Sequence, residues 1–219
     1  MKSNKKYYFT VEGETERWYL LWLQGQINNE ASSTHTVTLN CPIEKNPLKR
    51  AKSLILTGVK NKTVITHIFD RESEEEVHTK QFYDTLDAMK KSERLGKQIK
   101  YQLGYSNFTF ELWMVLHKVD CNRSFTRRSQ YLQSINRAYI ENFPNLDQYK
   151  QETNFHRVLS KLTLADVKDA ITRSKCIMQR NAQAGYTLHE YKGYKYYKEN
   201  PSLSIWESIE KILADCHLL

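Results

Sequence analysis

Over its first 118 residues the chain alternates strand-like and helix-like segments, and this alternation is its strongest architectural constraint. KYYFTVE (6–12) is an unbroken aromatic and β-branched run that reads as a strand. Residues 14–28 follow as a helix, with Trp18, Leu21 and Trp22 at helical spacing. HTVTLNC (35–41) reads as a second strand, and Pro47 opens a helix that Gly58 is placed to stop. TVITHIF (63–69) is the clearest strand, followed by an acidic run and a helix to about residue 92. KQIKYQL (97–103) reads as a fourth strand and 108–118 as a short apolar helix. The remainder is helical at about 126–141, 154–160, 163–183 and 203–215. This order predicts an α/β fold with βαβ units and a mainly parallel sheet flanked by helices. Ligand sites in such sheets lie beyond the carboxyl ends of the strands.

Two acidic positions fall at such ends. Glu12 closes the first strand, and Asp70 and Glu72 follow the third. Hard oxygen donors of this kind suit a Mg²⁺ ion. Asp70 and Glu72, two apart, would point the same way in extended chain. Gly13 allows a tight strand-to-helix turn and a close backbone approach to a ligand. Glu12 and Glu16 are expected near each other across the first turn, where a cation would relieve their repulsion. Glu14 reads as an ordinary acidic residue at a helix start, and Ser73–Glu76 as a solvated one.

The 219 residues carry 33 Lys+Arg against 25 Asp+Glu, a net +8, which weakly favours a polyanionic partner. Cys41, Cys121, Cys176 and Cys216 are widely spaced, with no C-x-x-C pair. They predict reduced thiols in a cytoplasmic protein, neither a zinc site nor a disulfide framework. No segment reaches the roughly 20 apolar residues of a membrane span, and the start of the chain does not read as a secretory leader.

Three segments, VEGETERWYLLWL, IFDRE and SNFTFELWMVLH, together resemble the RloB family of Toprim-like proteins associated with phage defence and abortive infection. NPSLSIWESIEKIL resembles that family's C-terminal end, so the likeness runs nearly the length of the chain. It implies a Toprim-like domain over 1–120 and a mostly helical region, 121–219, packed on it. It implies a Mg²⁺- or Mn²⁺-dependent nuclease, with Glu12 in proton transfer or metal binding and Asp70 and Glu72 as the metal-holding pair. Glu111 joins Glu12, Asp70 and Glu72 as a catalytic candidate. The family's D-x-D is D-R-E here, and its SNP is Ser106-Asn107-Phe108, which leaves the turn before the helix less rigid. The family also implies an ABC- or AAA-type ATPase partner. The chain has no G-x-x-x-x-G-K-[ST] loop of its own.

Gly13, Glu16, Ser106 and Asn107 are further candidates for phosphate or nucleic-acid contact. So are Lys192 and Lys195 in YKGYKYYK (191–198), where lysines interleave with tyrosines that could stack on bases; the same segment also reads as a β-hairpin with a solvated basic face. Arg123, Arg127 and Arg128 form a second basic cluster, equally readable as helix surface. Phe110, Trp113, Met114 and His117 share one helix face, which reads as core with a hydrogen-bonded histidine. The other readings are a non-catalytic Toprim-like module serving an ATPase or acting as a sensor, and a plain nucleic-acid-binding protein. Homo-oligomerisation is compatible with all three.

Overall fold

The computed structural model describes residues 2–57, 62–95 and 98–219. Four parallel strands form the body of the sheet: β1 (Ser3–Thr10), β2 (His35–Asn40), β3 (Thr63–Asp70) and β4 (Ile99–Asn107). Between them run α1 (Glu14–Asn29), α2 (Pro47–Leu56) and α3 (Glu76–Ser92). After β4 come α4 (Glu111–Leu116), a 3-10 turn (Arg128–Gln130), α5 (Tyr131–Tyr139), α6 (Leu146–Tyr149), α7 (Glu152–Leu159) and α8 (Leu164–Gln183). The chain ends with a hairpin of β5 (His189–Tyr191) and β6 (Tyr194–Tyr196), then β7 (Ser202–Leu203) and α9 (Ile205–Asp215). Strand order is β2-β1-β3-β4-β7, with only β7 antiparallel.

β3 lies between β1 and β4 and is buried along nearly all its length, as a central parallel strand covered on both faces must be. Its side chains alternate between two cores. Ile65 and Phe69 pack with Phe82 and Leu86 of α3 and with Tyr194 and Tyr196 of the hairpin. Ile68 packs on the opposite face with Tyr19 and Leu23 of α1 and with Trp113 of α4, in a core that also takes residues of α5, α7, α8 and α9. The region after residue 120 thus shares a core with α1 and α4 and adds β7 to the sheet. Burying each large apolar side chain contributes about 2 kcal/mol before entropic losses.

The first-half alternation appears as expected, with shifts at the ends. β4 extends four residues past the sequence-based limit, because Tyr105 to Asn107 still pair with Phe69, Asp70 and the short β7. The helix expected from 108 accordingly starts at Glu111. The helix expected over 126–141 divides into the 3-10 turn and α5, which ends where Ile140 turns left-handed at φ 53°. α6 and β7, of four and two residues, are too short to leave a periodic signal. Residues 191–198 contain a two-residue hairpin turn, Lys192–Gly193, with both φ values positive (56° and 90°). The expected helix stop at Gly58 and strand start at Lys97 lie outside the described residues.

Candidate acidic cation site

The alternation of β3 builds the site. Thr66 bonds Ser208 of α9 and Ile68 enters the α1/α4 core, so Asp70, two residues on, is directed to that same face at the strand's carboxyl end. There it meets the first turns of two helices. Glu16 comes from α1 and is 7% exposed; Glu111 comes from α4 and is fully buried. Glu12 arrives from the end of β1, held beside β3 by a hydrogen bond from the Asp70 backbone N–H. Two strand ends far apart in sequence therefore converge, and Glu12 and Glu16 are close enough to repel.

Burial dominates the electrostatics. It raises the Glu12 carboxyl to about 7, against the pull of Lys45 and with the push of Glu16 and Glu72. Burial raises Asp70 well above the carboxylate range, reinforced by Glu16 and Glu111 and opposed by Lys150. Glu16 is raised by burial and by Glu111 despite hydrogen bonds from its own backbone and from Thr15 Oγ1 (3.1 Å). Glu111 accepts a hydrogen bond from Thr109 Oγ1, and its Oε1 lies 3.0 Å from Lys150 Nζ. Burial pulls the Lys150 ammonium down, but Glu111, Asp70 and Glu16 more than reverse this. Four carboxyls thus stand against two lysines that act on them, Lys45 and Lys150.

The donor types, carboxylate and hydroxyl oxygens, suit a hard cation, and two buried hydroxyls near them lack a hydrogen-bond partner. Ser106 Oγ, facing Asp70 across the β3–β4 pairing, is one of these. The Tyr149 hydroxyl, within the field of Glu111 and Glu16, is another. Asn107, one residue past Ser106 and so on the other side of β4, has its amide nitrogen bonded to Lys198 O and Glu199 O. Among the described residues no three His, Cys, Asp or Glu side chains stand at metal-ligand spacing.

Some expected groupings change. Asp70 and Glu72 sit in different settings, although the Glu72 charge also reaches Glu12. The strand ends at Asp70, and buried Arg71 ties the next turn down through its backbone to Ser106 O and its guanidinium to Lys198 O. The Glu72 side chain is 36% exposed, with His78 at 3.4 Å and Arg128 at 3.6 Å. Glu16, expected both near Glu12 and as a phosphate contact, lies near Glu12 and Glu111, because α1 aims it inward. Gly13 has an extended backbone (φ −144°, ψ 175°), so its value is space and not a special turn. A Cβ there would stand 2.9 Å from Glu16 Oε2.

Lys192 and Lys195 lie elsewhere. They line a cavity of about 550 Å³ with Val64, Lys100 and Tyr101, early in β3 and β4. The six-residue rise from Val64 to Asp70 separates that groove from the carboxylates by about 20 Å. Trp113, Met114, Phe110 and His117 are core, with the His117 ring 3.0 Å from the Tyr19 hydroxyl and 2.8 Å from Trp113 O. Cys41, Cys121 and Cys216 are buried thiols and Cys176 an exposed one. Among the described residues no helix is long and apolar enough to cross a membrane. Lys150 is the site residue that sequence reasoning missed. It lies outside every recognisable motif, and a lysine beside a short helix gives no signal of its own.

A family model described as RloB-like protein matches residues 7–212. No curated protein and no solved structure matches the chain. With nearly its whole length so matched, the chain belongs to the RloB-like family.

Proposed function

We propose that the acidic pocket holds one Mg²⁺ or Mn²⁺ ion and that the protein is a Toprim-like nuclease, hydrolysing phosphodiester bonds of DNA or RNA in defence against phage. The observation that carries this reading is the concentration of Glu12, Glu16, Asp70 and Glu111 around the carboxyl ends of β1 and β3, where the carboxyls outnumber the lysines that act on them. Uncompensated buried carboxylates cost several kcal/mol, and a fold keeps them where they have a use. A cation bound there would neutralise phosphate charge and make a water molecule more acidic.

The chain's own residues supply the rest. Asp70, fixed by the sheet, and Glu111, anchored by Thr109, are the preorganised oxygen donors. Glu12, with its carboxyl near 7, exchanges protons readily at neutral pH and suits a general base or acid. Ser106, paired with Asp70 at the end of β4, and Asn107 after it would orient a phosphate. Arg128, beside Glu72, belongs with Arg123 and Arg127 to a basic surface for the nucleic-acid backbone. Any ATPase function comes from a separate chain, and the site of action is the cytoplasm.

The non-catalytic reading draws on a different observation: the carboxylates are not at metal-ligand spacing, and Lys150 already sits among them. Incubation with DNA, RNA and tRNA in Mg²⁺ or Mn²⁺ separates the two. Metal-dependent cleavage lost in Asp70→Asn supports the nuclease. Intact substrates together with undetectable metal binding support the module.

A further inference from the structure

Lys150 caps α6, a four-residue helix in the second half of the chain, yet its ammonium enters the pocket formed by the first half. Its Nζ is 3.0 Å from Glu111 Oε1, and its charge also acts on Asp70 and Glu16. The two partners are held differently. The Glu111 side chain is 0% exposed and tied by Thr109 Oγ1, whereas the Lys150 side chain is 35% exposed and has an open route to solvent. The neighbouring Tyr149 hydroxyl and Ser106 Oγ are buried without partners, so polar groups remain for another occupant.

We propose that Lys150 is the pocket's internal counter-cation: it competes with a divalent cation for Glu111, Asp70 and Glu16, and withdraws towards solvent when one enters. This rests on the reading of the pocket as a cation site. An ammonium and a divalent cation drawn to the same carboxylates repel each other strongly at these separations. With neither present, the buried carboxylates would face one another uncompensated. Lys150 thus keeps the pocket folded in the absence of metal and lowers its affinity for metal.

Calorimetric titration of Mn²⁺ into wild type, Lys150→Gln and Lys150→Arg, with thermal unfolding of each, tests this. Lys150→Gln is expected to bind Mn²⁺ about tenfold more tightly or better. Lys150→Arg, which keeps the charge, should stay within about threefold of wild type. Metal-free Lys150→Gln should melt lower than wild type and gain more Tm from Mn²⁺. The double variant Lys150→Gln/Glu111→Gln should recover metal-free stability. If Lys150→Gln folds only with Mn²⁺ present, and chelation unfolds it, the proposal stands. Binding by wild type with no tightening in Lys150→Gln overturns the role of Lys150 and leaves the cation site intact. No binding by any variant overturns both.

Discussion

The two ends of β3 are built in contrasting ways. At its amino end, Lys90, Lys100, Lys192 and Lys195 surround an open groove, and those with partners use surface ones: Lys90 with Glu93 at 2.9 Å, Lys192 with Asp87 at 3.7 Å. At its carboxyl end, buried Glu16 and Glu111 and half-buried Glu12 and Asp70 have fewer opposite charges than their own number. Water screens the first arrangement, and moving a lysine there costs little. The second is costly unless a ligand completes it. Charge type alone would make the lysine-rich segment the more conspicuous nucleic-acid feature. Burial sets the acidic end apart as the candidate site.

The largest expected difference between the ends is in catalysis. Asp70→Asn should lower metal-dependent cleavage by about 100-fold or more. Lys192→Ala and Lys195→Ala should leave the rate at saturating substrate within about threefold. If these lysines touch phosphate, they weaken binding and reduce the salt slope by about one each, read from affinity against salt concentration. A cleavage rate that falls as far in the lysine variants as in Asp70→Asn would abolish the contrast.

Stability gives the next test. A carboxyl raised to about 7 in the fold from 4.5 unfolded holds more protons folded than unfolded between those values. Stability therefore falls as pH rises through that window. Glu12→Gln mimics the protonated form, so its metal-free stability advantage over wild type should grow from pH 5 to pH 8. The limit is about 3 kcal/mol, read by denaturant unfolding. Comparison with wild type is needed because His67 and His117, held by burial near 3 and 4, oppose the trend: their contribution is lost as pH falls from about 6.5. Lys192→Ala should move stability by less than about 0.5 kcal/mol at any pH.

The smallest effect sharpens the account of the turn. Gly13→Ala places a methyl against Glu16 Oε2, and the end of that side chain must shift. About 1 kcal/mol of lost stability is expected. Glu16→Gln should not relieve the crowding, because an amide is as large as a carboxylate.

The sequence revealed much of this arrangement, for identifiable reasons. β-branched runs ending in acids placed Glu12 and Asp70 at one sheet edge, since parallel strands bring their carboxyl ends together. The ion pair of Glu72 with Arg128 was not legible, because only tertiary packing brings the two together. Lys150 was hidden for a similar reason: only tertiary packing brings α6 beside Glu111. The hairpin was open in the sequence because lysine–tyrosine alternation fits both a solvated hairpin face and a nucleic-acid strip. Its Lys192–Gly193 turn and the tyrosine side facing α3 decide the conformation.

A crystal grown with Mn²⁺ and measured at the manganese absorption edge tests the central claim most directly. The account predicts an anomalous peak bounded by carboxylate oxygens of Asp70 and at least one of Glu12, Glu16 and Glu111, with the Lys150 side chain moved away from Glu111. A peak only at the surface beside Glu72 and His78, or a pocket still closed by Lys150 at saturating Mn²⁺, would contradict it.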